Sequence, residues 1–192
     1  MVSIKNSQGK ELSVSEEVFA KFKRVRAFLF DIDGVMTDGS ILVAESGDFL
    51  RVYNAKDGFG IRMASMNGFH LGIITGGHSD TIPARFTKFG FRNEDIYLNS
   101  KDKIRDFNDF CSRHGISEEE VLYCGDDVPD IPVLRKAGLG VCPADAMEEA
   151  AAIADYVSIF PAGKRFAREI IEIVLRVQGK WTFDVDCYDK SY

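Results

Sequence analysis

An apolar segment that ends in two closely spaced aspartates constrains the fold of this chain more than any other feature. Residues 25–30 are mostly apolar, which is typical of a strand covered on both faces of a parallel sheet. Asp31 and Asp33 follow, and side chains two positions apart on an extended segment point to the same side. Gly34 then lets the chain turn sharply. The segment therefore predicts two carboxylates at the carboxyl end of a buried strand, where open α/β sheets bind ligands.

Two carboxylates held this close repel each other unless they share a cation or one of them keeps a proton. Both arrangements suit phosphoryl transfer, in which one carboxylate attacks phosphorus and the other moves a proton. Taken alone, an Asp-x-Asp-Gly turn is common and can simply cap a helix. Further motifs at the ends of other strands are needed to separate a catalytic site from such a turn.

The next buried strand ends in a candidate anion-binding motif. Residues 70–75 are mainly apolar, and Gly76 and Gly77 follow them. A threonine hydroxyl and free glycine amides at a strand end, just before a helix, can hold an anion. Thr75 and Gly76 are therefore candidate phosphate-binding residues.

A third apolar strand, residues 121–124, is followed by three acids within five positions, Asp126, Asp127 and Asp130. Such a group needs a cation or protons to lie together. Carboxylate oxygens with room for water suit Mg²⁺. The acids predict a magnesium site at the sheet edge that carries Asp31.

Composition limits the classes of function. The chain has 192 residues, 45% of them hydrophobic and 28% charged, as expected of one ordinary globular domain. A net charge of -6 argues against a nucleic-acid partner. No apolar run reaches transmembrane length and no secretory segment is recognised, so we expect no membrane partner and a cytoplasmic location. The cysteines are scattered, which favours buried thiols over disulfides: Cys111, Cys124, Cys142 and Cys187.

Strands that alternate with helices predict an α/β fold with a doubly wound parallel sheet, in one domain that spans residues 1–192. A β-hairpin flap is expected at about residues 40–53, directly after the first central strand, and no segment is long enough for a cap domain. The tail, residues 178–192, contains the only tryptophan and can pack on its own core or on a neighbour.

The N-terminal segment carries a weaker signal. Residues 1–12 are polar and expected to be loose. Ser13 and Glu16 have the spacing of a capping box at the start of an amphipathic helix that runs through Arg24.

The motifs, in this order, resemble those of the haloacid dehalogenase superfamily of phosphohydrolases. The resemblance implies Asp31 as nucleophile and Asp33 as general acid and base. It places a phosphate-binding lysine at Lys103, with Lys101 as the alternative. It further implies phosphoryl contacts from Thr75, Gly76 and Lys103, and Mg²⁺ held by Asp31, Asp33 and Asp126 with outer support from Asp127 and Asp130.

Longer stretches are similar to the family of 3-deoxy-D-manno-octulosonate 8-phosphate phosphatases, over roughly residues 25–182. They are Asp-Ile-Asp-Gly-Val-Met-Thr-Asp-Gly, Asn-Ala-Lys-Asp-Gly-Phe-Gly-Ile-Arg, Gly-Asp-Asp-Val-Pro-Asp and Gln-Gly-Lys. This resemblance implies a role in lipopolysaccharide biosynthesis and a homotetramer whose flaps and tails close neighbouring sites. It also implies contacts to a phosphorylated sugar acid from Asp33, Asn54, Ala55, Lys56, Asp57, Gly58, Arg62, Arg85 and Lys103.

Two departures from that family keep alternatives open. The family usually has an arginine where Gly77 stands, and another where Lys56 stands. The missing cation leaves phosphatases of nine-carbon sialic-type 9-phosphates as rivals. A non-catalytic regulatory module on the same scaffold and a phosphomutase are further alternatives, although the latter usually carries a cap domain.

Overall fold

Strands and helices alternate along the chain in this computed structural model, which describes residues 1–182. The strands are β1 (Val2–Lys5), β2 (Glu11–Val14), β3 (Ala27–Phe30), β4 (Leu42–Val43), β5 (Phe49–Leu50), β6 (His70–Ile74), β7 (Ile96–Tyr97), β8 (Val121–Cys124), β9 (Leu139–Cys142) and β10 (Tyr156–Val157). The α-helices are α1 (Glu16–Arg24), α2 (Ala55–Met66), α3 (Thr81–Phe86), α4 (Lys103–His114), α5 (Ile131–Lys136), α6 (Glu148–Ala151) and α7 (Phe166–Val177).

Six strands form a parallel sheet in the order β10-β9-β8-β3-β6-β7. The chain runs from β3 outward to β7, then returns to β8 on the other side of β3 and continues to β10. The strand order therefore reverses beside β3, and such a reversal opens a crevice at the carboxyl ends of the strands. The predicted doubly wound parallel sheet is confirmed.

Alternate residues of β3 pack on opposite faces of the sheet, because side chains of a strand alternate in direction. Phe28 and Phe30 join the cluster that contains α1, α2 and α7, whereas Leu29 joins the cluster that contains α4 and α5. All three side chains are fully buried, and each burial stabilises the fold by about 1.5–3 kcal/mol. This double covering fixes the strand that ends at Asp31.

The prediction that residues 1–12 are loose is wrong. β1 and β2 form an antiparallel hairpin, and Ile4 and Val14 are buried in the main core. The Asn6 side chain accepts hydrogen bonds from the amides of Gln8 and Lys10, which stabilises the turn. The segment contains polar turn residues, and the alternating apolar side chains on both sides of that turn were overlooked.

The first helix starts two residues later than the predicted capping box. Ser15, rather than Ser13, is the N-cap, and its hydroxyl accepts a hydrogen bond from the Val18 amide at 3.1 Å. Ser13 lies within β2. The hairpin therefore occupies the position at which the sequence favoured a cap.

The flap, residues 40–53, is present after β3, although its paired strands are only two residues long. Its apolar side chains face outward, with exposed fractions of 45% at Ile41, 61% at Val43, 49% at Phe49 and 79% at Val52. Within residues 1–182 the structure contains no cap domain. The sheet edge above β3 is therefore bordered by this flap.

The described part of the tail packs on its own subunit. Gln178 donates to the Phe22 and Val25 carbonyl oxygens, and the Trp181 ring meets Phe59 edge to face at 6.3 Å. Residues 183–192, with Cys187, lie outside the described part of the chain, so the predicted role of the tail at a neighbouring site stays a prediction. Among the described helices, none combines the length and the apolar character needed to cross a membrane. Three cysteines are buried free thiols: Cys111, Cys124 and Cys142.

Candidate active site

Three neighbouring strand ends meet at one cavity of about 540 Å³. Asp31 follows β3, Thr75 follows β6, and Asp126 follows β8 after a single glycine. These strands are adjacent in the sheet and parallel, so their carboxyl ends lie at one edge. The convergence that the sequence predicted for these side chains is observed.

Two glycines make room for the acidic side chains, one between the two loops and one within the second loop. Gly34 has φ +85°, and a Cβ on this residue would lie 2.1 Å from Asp126 Oδ2. A Cβ on Gly125 would lie 2.4 Å from the Asp130 Cβ. Both separations are far below van der Waals contact, so a larger residue at 34 would clash with the Asp126 carboxylate and a larger residue at 125 with the Asp130 side chain.

Lys103 joins the carboxylates across the cavity. Its Nζ lies 3.1 Å from Asp31 Oδ2 and 2.7 Å from Asp130 Oδ1, and only 9% of its side chain is exposed. Lys101 also borders the cavity but is exposed. The structure therefore brings Lys103, and not the alternative Lys101, between the acids.

Asp130 is the anchor of the acidic loop. Tyr123 donates its hydroxyl to Asp130 Oδ1 at 2.5 Å, and the Asp126 amide donates to Oδ2 at 3.0 Å. Asp130 is almost completely buried, so these bonds fix its carboxylate rigidly. Sequence analysis missed Tyr123, because an aromatic residue inside an apolar strand carries no sign that its hydroxyl serves the site.

The donor atoms present fit a hard divalent cation. One carboxylate oxygen from each of Asp31, Asp126 and Asp130 lies within 4.8 Å of the others. Asp31 Oδ1 and Asp126 Oδ1 are buried and lack a hydrogen-bond partner among the described residues. Buried carboxylate oxygens left unpaired are costly unless a cation or proton serves them. Oxygen ligands of this kind suit Mg²⁺.

Burial shifts the proton affinity of these acids. It raises the pKa of Asp31 to about 6, with Lys103 opposing the shift and Asp130 adding to it. It raises the pKa of Asp126 to about 7, with further contributions from Asp130 and Asp31. Burial alone would lower the pKa of Lys103, but the charges of Asp31 and Asp130 outweigh it and raise that pKa.

Mg²⁺ binding is expected to tighten as the pH rises through about 6 to 7, since protons on Asp31 and Asp126 compete with the metal. Each proton released should contribute up to about tenfold in affinity per pH unit below its pKa. Titration calorimetry with Mg²⁺ between about pH 5.5 and 8 measures this dependence. Asp126→Asn is the comparison variant, because it lacks the carboxylate whose pKa is raised to about 7. It should bind Mg²⁺ weakly, and its affinity should no longer change with pH near 7. An affinity that stays constant over this range would contradict the assignment.

The Thr75 loop is fixed by its own hydrogen bonds. Thr75 Oγ1 accepts from the Gly77 amide at 3.1 Å, and the Thr75 carbonyl accepts from the Ser100 amide at 2.9 Å. Gly76 is exposed at the cavity, and a Cβ on this residue would meet only the Ser100 carbonyl oxygen, at 3.9 Å. The loop thus presents a hydroxyl and exposed backbone beside Asp33, an arrangement suited to an anion.

The flap contributes a cation that sequence analysis did not identify. Arg51 Nε lies 2.7 Å from Asp33 Oδ1, and Arg51 Nη2 lies 2.8 Å from Asp33 Oδ2. Hydrogen bonds to this carboxylate raise the pKa of Arg51 further. The two residues are 18 positions apart, and only the fold of the flap places them together.

Several predicted substrate contacts lie outside this cavity. Asn54 caps α2, its side chain accepting from the Lys56 amide at 2.9 Å. The Arg85 guanidinium stacks over the Tyr53 ring at 4.8 Å and over the Phe89 ring at 5.3 Å. Ala55 and Lys56 are exposed on the first turn of α2, Gly58 is buried against Phe89, and Arg62 is half-buried further along α2. Their contacts with substrate stay predictions.

Asp57 has a structural role at the start of α7. Its carboxylate accepts from the backbone amides of Arg165 and Arg168, at 3.3 and 2.7 Å, and only 3% of the residue is exposed. These bonds stabilise the start of α7, where helix amides lack partners within the helix. Each oxygen accepts one of these bonds, and a contact between Asp57 and substrate stays a prediction.

Asp127 lies at the cavity mouth and is exposed. Its carboxylate accepts from the Val128 amide at 2.7 Å and caps the short turn that follows. An outer role around the metal stays a prediction for this residue. The part of the Asp33 carbonyl in holding Mg²⁺ also stays a prediction.

Comparisons with known proteins agree on one family. A family profile described as haloacid dehalogenase-like hydrolase matches residues 73–161. A 3-deoxy-D-manno-octulosonate 8-phosphate phosphatase of Escherichia coli K12 is 36% identical over 167 residues, which cover 87% of this chain and 88% of that protein.

Two solved structures with related names share the fold. The phosphatase of that name from Yersinia pestis superposes with a TM-score of 0.87 at 30% identity, over 93% of this chain and 94% of the other. The one from Moraxella catarrhalis, solved with a magnesium ion, a phosphate ion and a 3-deoxy-D-manno-octulosonate molecule, gives 0.82 at 29% identity, over 86% and 94%.

Proposed function

The chain belongs to the haloacid dehalogenase-like hydrolases, and we propose that it is a magnesium-dependent phosphatase that releases phosphate from 3-deoxy-D-manno-octulosonate 8-phosphate. The observation that carries this proposal is the convergence of Asp31, Lys103 and Asp126 beside the Thr75 loop. The names of the similar proteins support the sugar-acid phosphate as substrate.

In the proposed reaction, an Asp31 oxygen attacks phosphorus and the bond from phosphorus to the sugar oxygen breaks. Thr75, Gly76 and Lys103 hold the phosphoryl oxygens while charge develops on them. Asp33 gives a proton to the departing alkoxide, then takes one from the water that cleaves the aspartyl-phosphate. Asp31 is regenerated and inorganic phosphate leaves.

The Mg²⁺ would be held by Asp31, Asp126 and the Asp33 carbonyl, with Asp130 and Asp127 around them. When bound, it supplies positive charge that lets an anionic carboxylate approach an anionic phosphoryl group. The unpaired Asp31 and Asp126 oxygens support this assignment.

One difference between this chain and the resembling family bears on which sugar the substrate carries. Gly77 stands where the resembling family usually has an arginine, so a nine-carbon sialic-type 9-phosphate is retained as the second candidate substrate. A phosphomutase finds no support in residues 1–182, which contain no cap domain.

A phosphate-release screen over sugar-acid phosphates, with Mg²⁺ and with EDTA, tests the proposal. We expect the eight-carbon 8-phosphate to give the highest kcat/KM, and we expect exhaustive chelation to abolish turnover and added Mg²⁺ to restore it. A higher kcat/KM for a nine-carbon 9-phosphate would reassign the substrate. Full activity after complete metal removal would contradict the mechanism.

We further infer that the protein is a homotetramer whose flaps pack together. The exposed apolar residues of the flap support this, because patches of this kind usually mark contacts: Ile41, Leu42, Val43, Phe49, Leu50 and Val52. A cytoplasmic location is part of the same proposal, and the three buried free thiols are compatible with a reducing compartment.

Light scattering is expected to show a mass well above the 21.4 kDa of one chain. Replacing Leu42 and Val52 together with Asp should reduce that mass, because two charges would be buried if the flaps associate. Ser46→Asp on the flap turn, where Ser46 is already exposed and polar, is the matched control. A fully active monomer at assay concentration would contradict the proposal.

A further inference from the structure

In the flap, the apolar side chains are exposed and the Arg51 side chain is buried, the opposite of what is usual in a folded protein. Only 2% of the Arg51 side chain is exposed, whereas its neighbours Leu50 and Val52 are 47% and 79% exposed. Burying a guanidinium is unfavourable unless charged and polar partners surround it. A covered cation on a short hairpin therefore needs an explanation beyond the stability of the hairpin.

Gly77 leaves the space that the guanidinium occupies. A Cβ on this residue would lie 2.9 Å from Arg51 Nη2 and 3.2 Å from Asp33 Oδ2. The Gly77 backbone is not in the left-handed region, so its conformation does not by itself call for glycine. Glycine is needed at position 77 because a side chain there would overlap the Arg51 guanidinium.

The charges of the cavity are divided between two sides. Lys103 pairs with both Asp31 and Asp130 on one side. Asp33 and the Thr75 loop line the other side, and Arg51, which is not itself among the lining residues, supplies positive charge there through its pairing with Asp33. A phosphoryl dianion held by that loop would otherwise lie beside the Asp33 carboxylate and be repelled by it.

The guanidinium can serve both anions at once. Arginine has five N–H donors: Asp33 uses one on Nε and one on Nη2, the Phe49 carbonyl accepts one from Nη1 at 3.4 Å, and two remain. Nη2 is also the atom nearest the Gly77 Cβ position, which in turn lies 3.4 Å from Thr75 Oγ1. Arg51 thus reaches the loop that is proposed to hold the phosphoryl oxygens while it remains paired with Asp33.

We propose that Arg51 is a substrate-binding residue supplied by the flap, whose guanidinium bridges Asp33 and the phosphoryl group, and that Gly77 provides the space for it. The proposal rests on the function above only in that the substrate is a phosphomonoester. It does not depend on which sugar the substrate carries.

Binding of inorganic phosphate in the presence of Mg²⁺, followed by calorimetry, is the direct test. Arg51→Ala and Arg51→Gln should weaken phosphate binding about tenfold or more, the size expected for a lost charge-assisted hydrogen bond, and should raise KM in parallel. Arg51→Lys should keep part of the affinity, because it retains the charge. Arg26→Ala, which removes an arginine paired with Glu120 and 59% exposed, is the matched control and should leave the affinity unchanged.

Gly77→Ala tests the second half of the proposal. Its methyl group should displace the guanidinium and weaken phosphate binding as Arg51→Ala does. In the Arg51→Ala background the same methyl group should cost nothing further, so the two changes should be strongly non-additive.

Phosphate affinity that is unchanged in folded Arg51→Ala and Arg51→Gln would overturn the proposal, as would additive effects of the changes at positions 51 and 77. A loss confined to sugar substrates, with normal affinity for inorganic phosphate, would also overturn it, because Arg51 would then contact the sugar. If the wild-type protein hydrolyses phosphomonoesters but the Arg51 variants bind phosphate normally, this inference is wrong and the proposed function stands. A wild-type protein that neither binds phosphate nor hydrolyses any phosphomonoester would overturn both.

Discussion

Asp31→Asn is expected to reduce turnover by about 10⁴-fold or more while leaving the fold intact. An amide cannot form the acyl-phosphate bond that the carboxylate of Asp31 is proposed to form. The fold should tolerate the change, because Asp31 Oδ1 has no hydrogen-bond partner among the described residues and burial already disfavours its charge. The measurement is phosphate release under saturating Mg²⁺ and substrate, with circular dichroism to follow the fold.

The control is Asp109→Asn, which makes the same chemical change on α4. The Asp109 carboxylate is 51% exposed and pairs with Arg113 and Tyr97, away from the cavity. A radiolabelled phosphoryl group should remain on the acid-quenched wild-type protein and on Asp109→Asn, but not on Asp31→Asn. Normal turnover by folded Asp31→Asn would rule out Asp31 as the nucleophile.

The central side chains of the site could be found from the sequence because each is tied to a local signal. Asp31, Thr75 and Asp126 each follow a short apolar run, and parallel strands bring their carboxyl ends to one edge. The order of the strands was not needed to predict that these residues converge. Which of these residues lie next to each other depends on the strand order, in which β3 lies between β8 and β6.

Arg51 could not be found in this way. Its position depends on how a hairpin of two-residue strands folds back over the sheet edge, and no periodicity in the sequence encodes that. Tyr123 lies inside an apolar strand, and only its contact with Asp130 reveals that its hydroxyl serves the site. Local patterns locate strand ends, whereas contacts made across long segments of chain require the three-dimensional structure.

Asp57 shows that a motif residue can have a structural role that motif similarity does not reveal. The resemblance assigns it to substrate, and its carboxylate also caps α7 through the Arg168 amide, more than 100 positions away. Asp is a common helix cap, and motif similarity does not distinguish a cap from a ligand contact. A residue that matches a functional motif can therefore owe its place to the packing of two helices.

Lys103→Ala is expected to lower kcat by about 10² to 10³-fold, the range seen when one preorganised charge or donor is removed from a site. Lys103 lies 3.1 Å from Asp31 and 2.7 Å from Asp130, and it is nearly buried. Its charge lowers the pKa of Asp31 and of Asp126, so its removal should raise both. The pH at which Mg²⁺ begins to bind tightly should therefore move upward in the variant.

Lys101→Ala is the matched control, because Lys101 precedes the same helix by two positions and borders the same cavity but is exposed. It should keep kcat within about twofold, since an exposed charge is well screened by solvent. Lys103→Met retains most of the side-chain volume and separates loss of charge from loss of packing. If folded Lys103→Met and Lys103→Ala both keep normal turnover while Lys101→Ala loses it, the neutralising lysine is Lys101, and the contact between Lys103 and Asp31 serves only to hold the acidic loop in place.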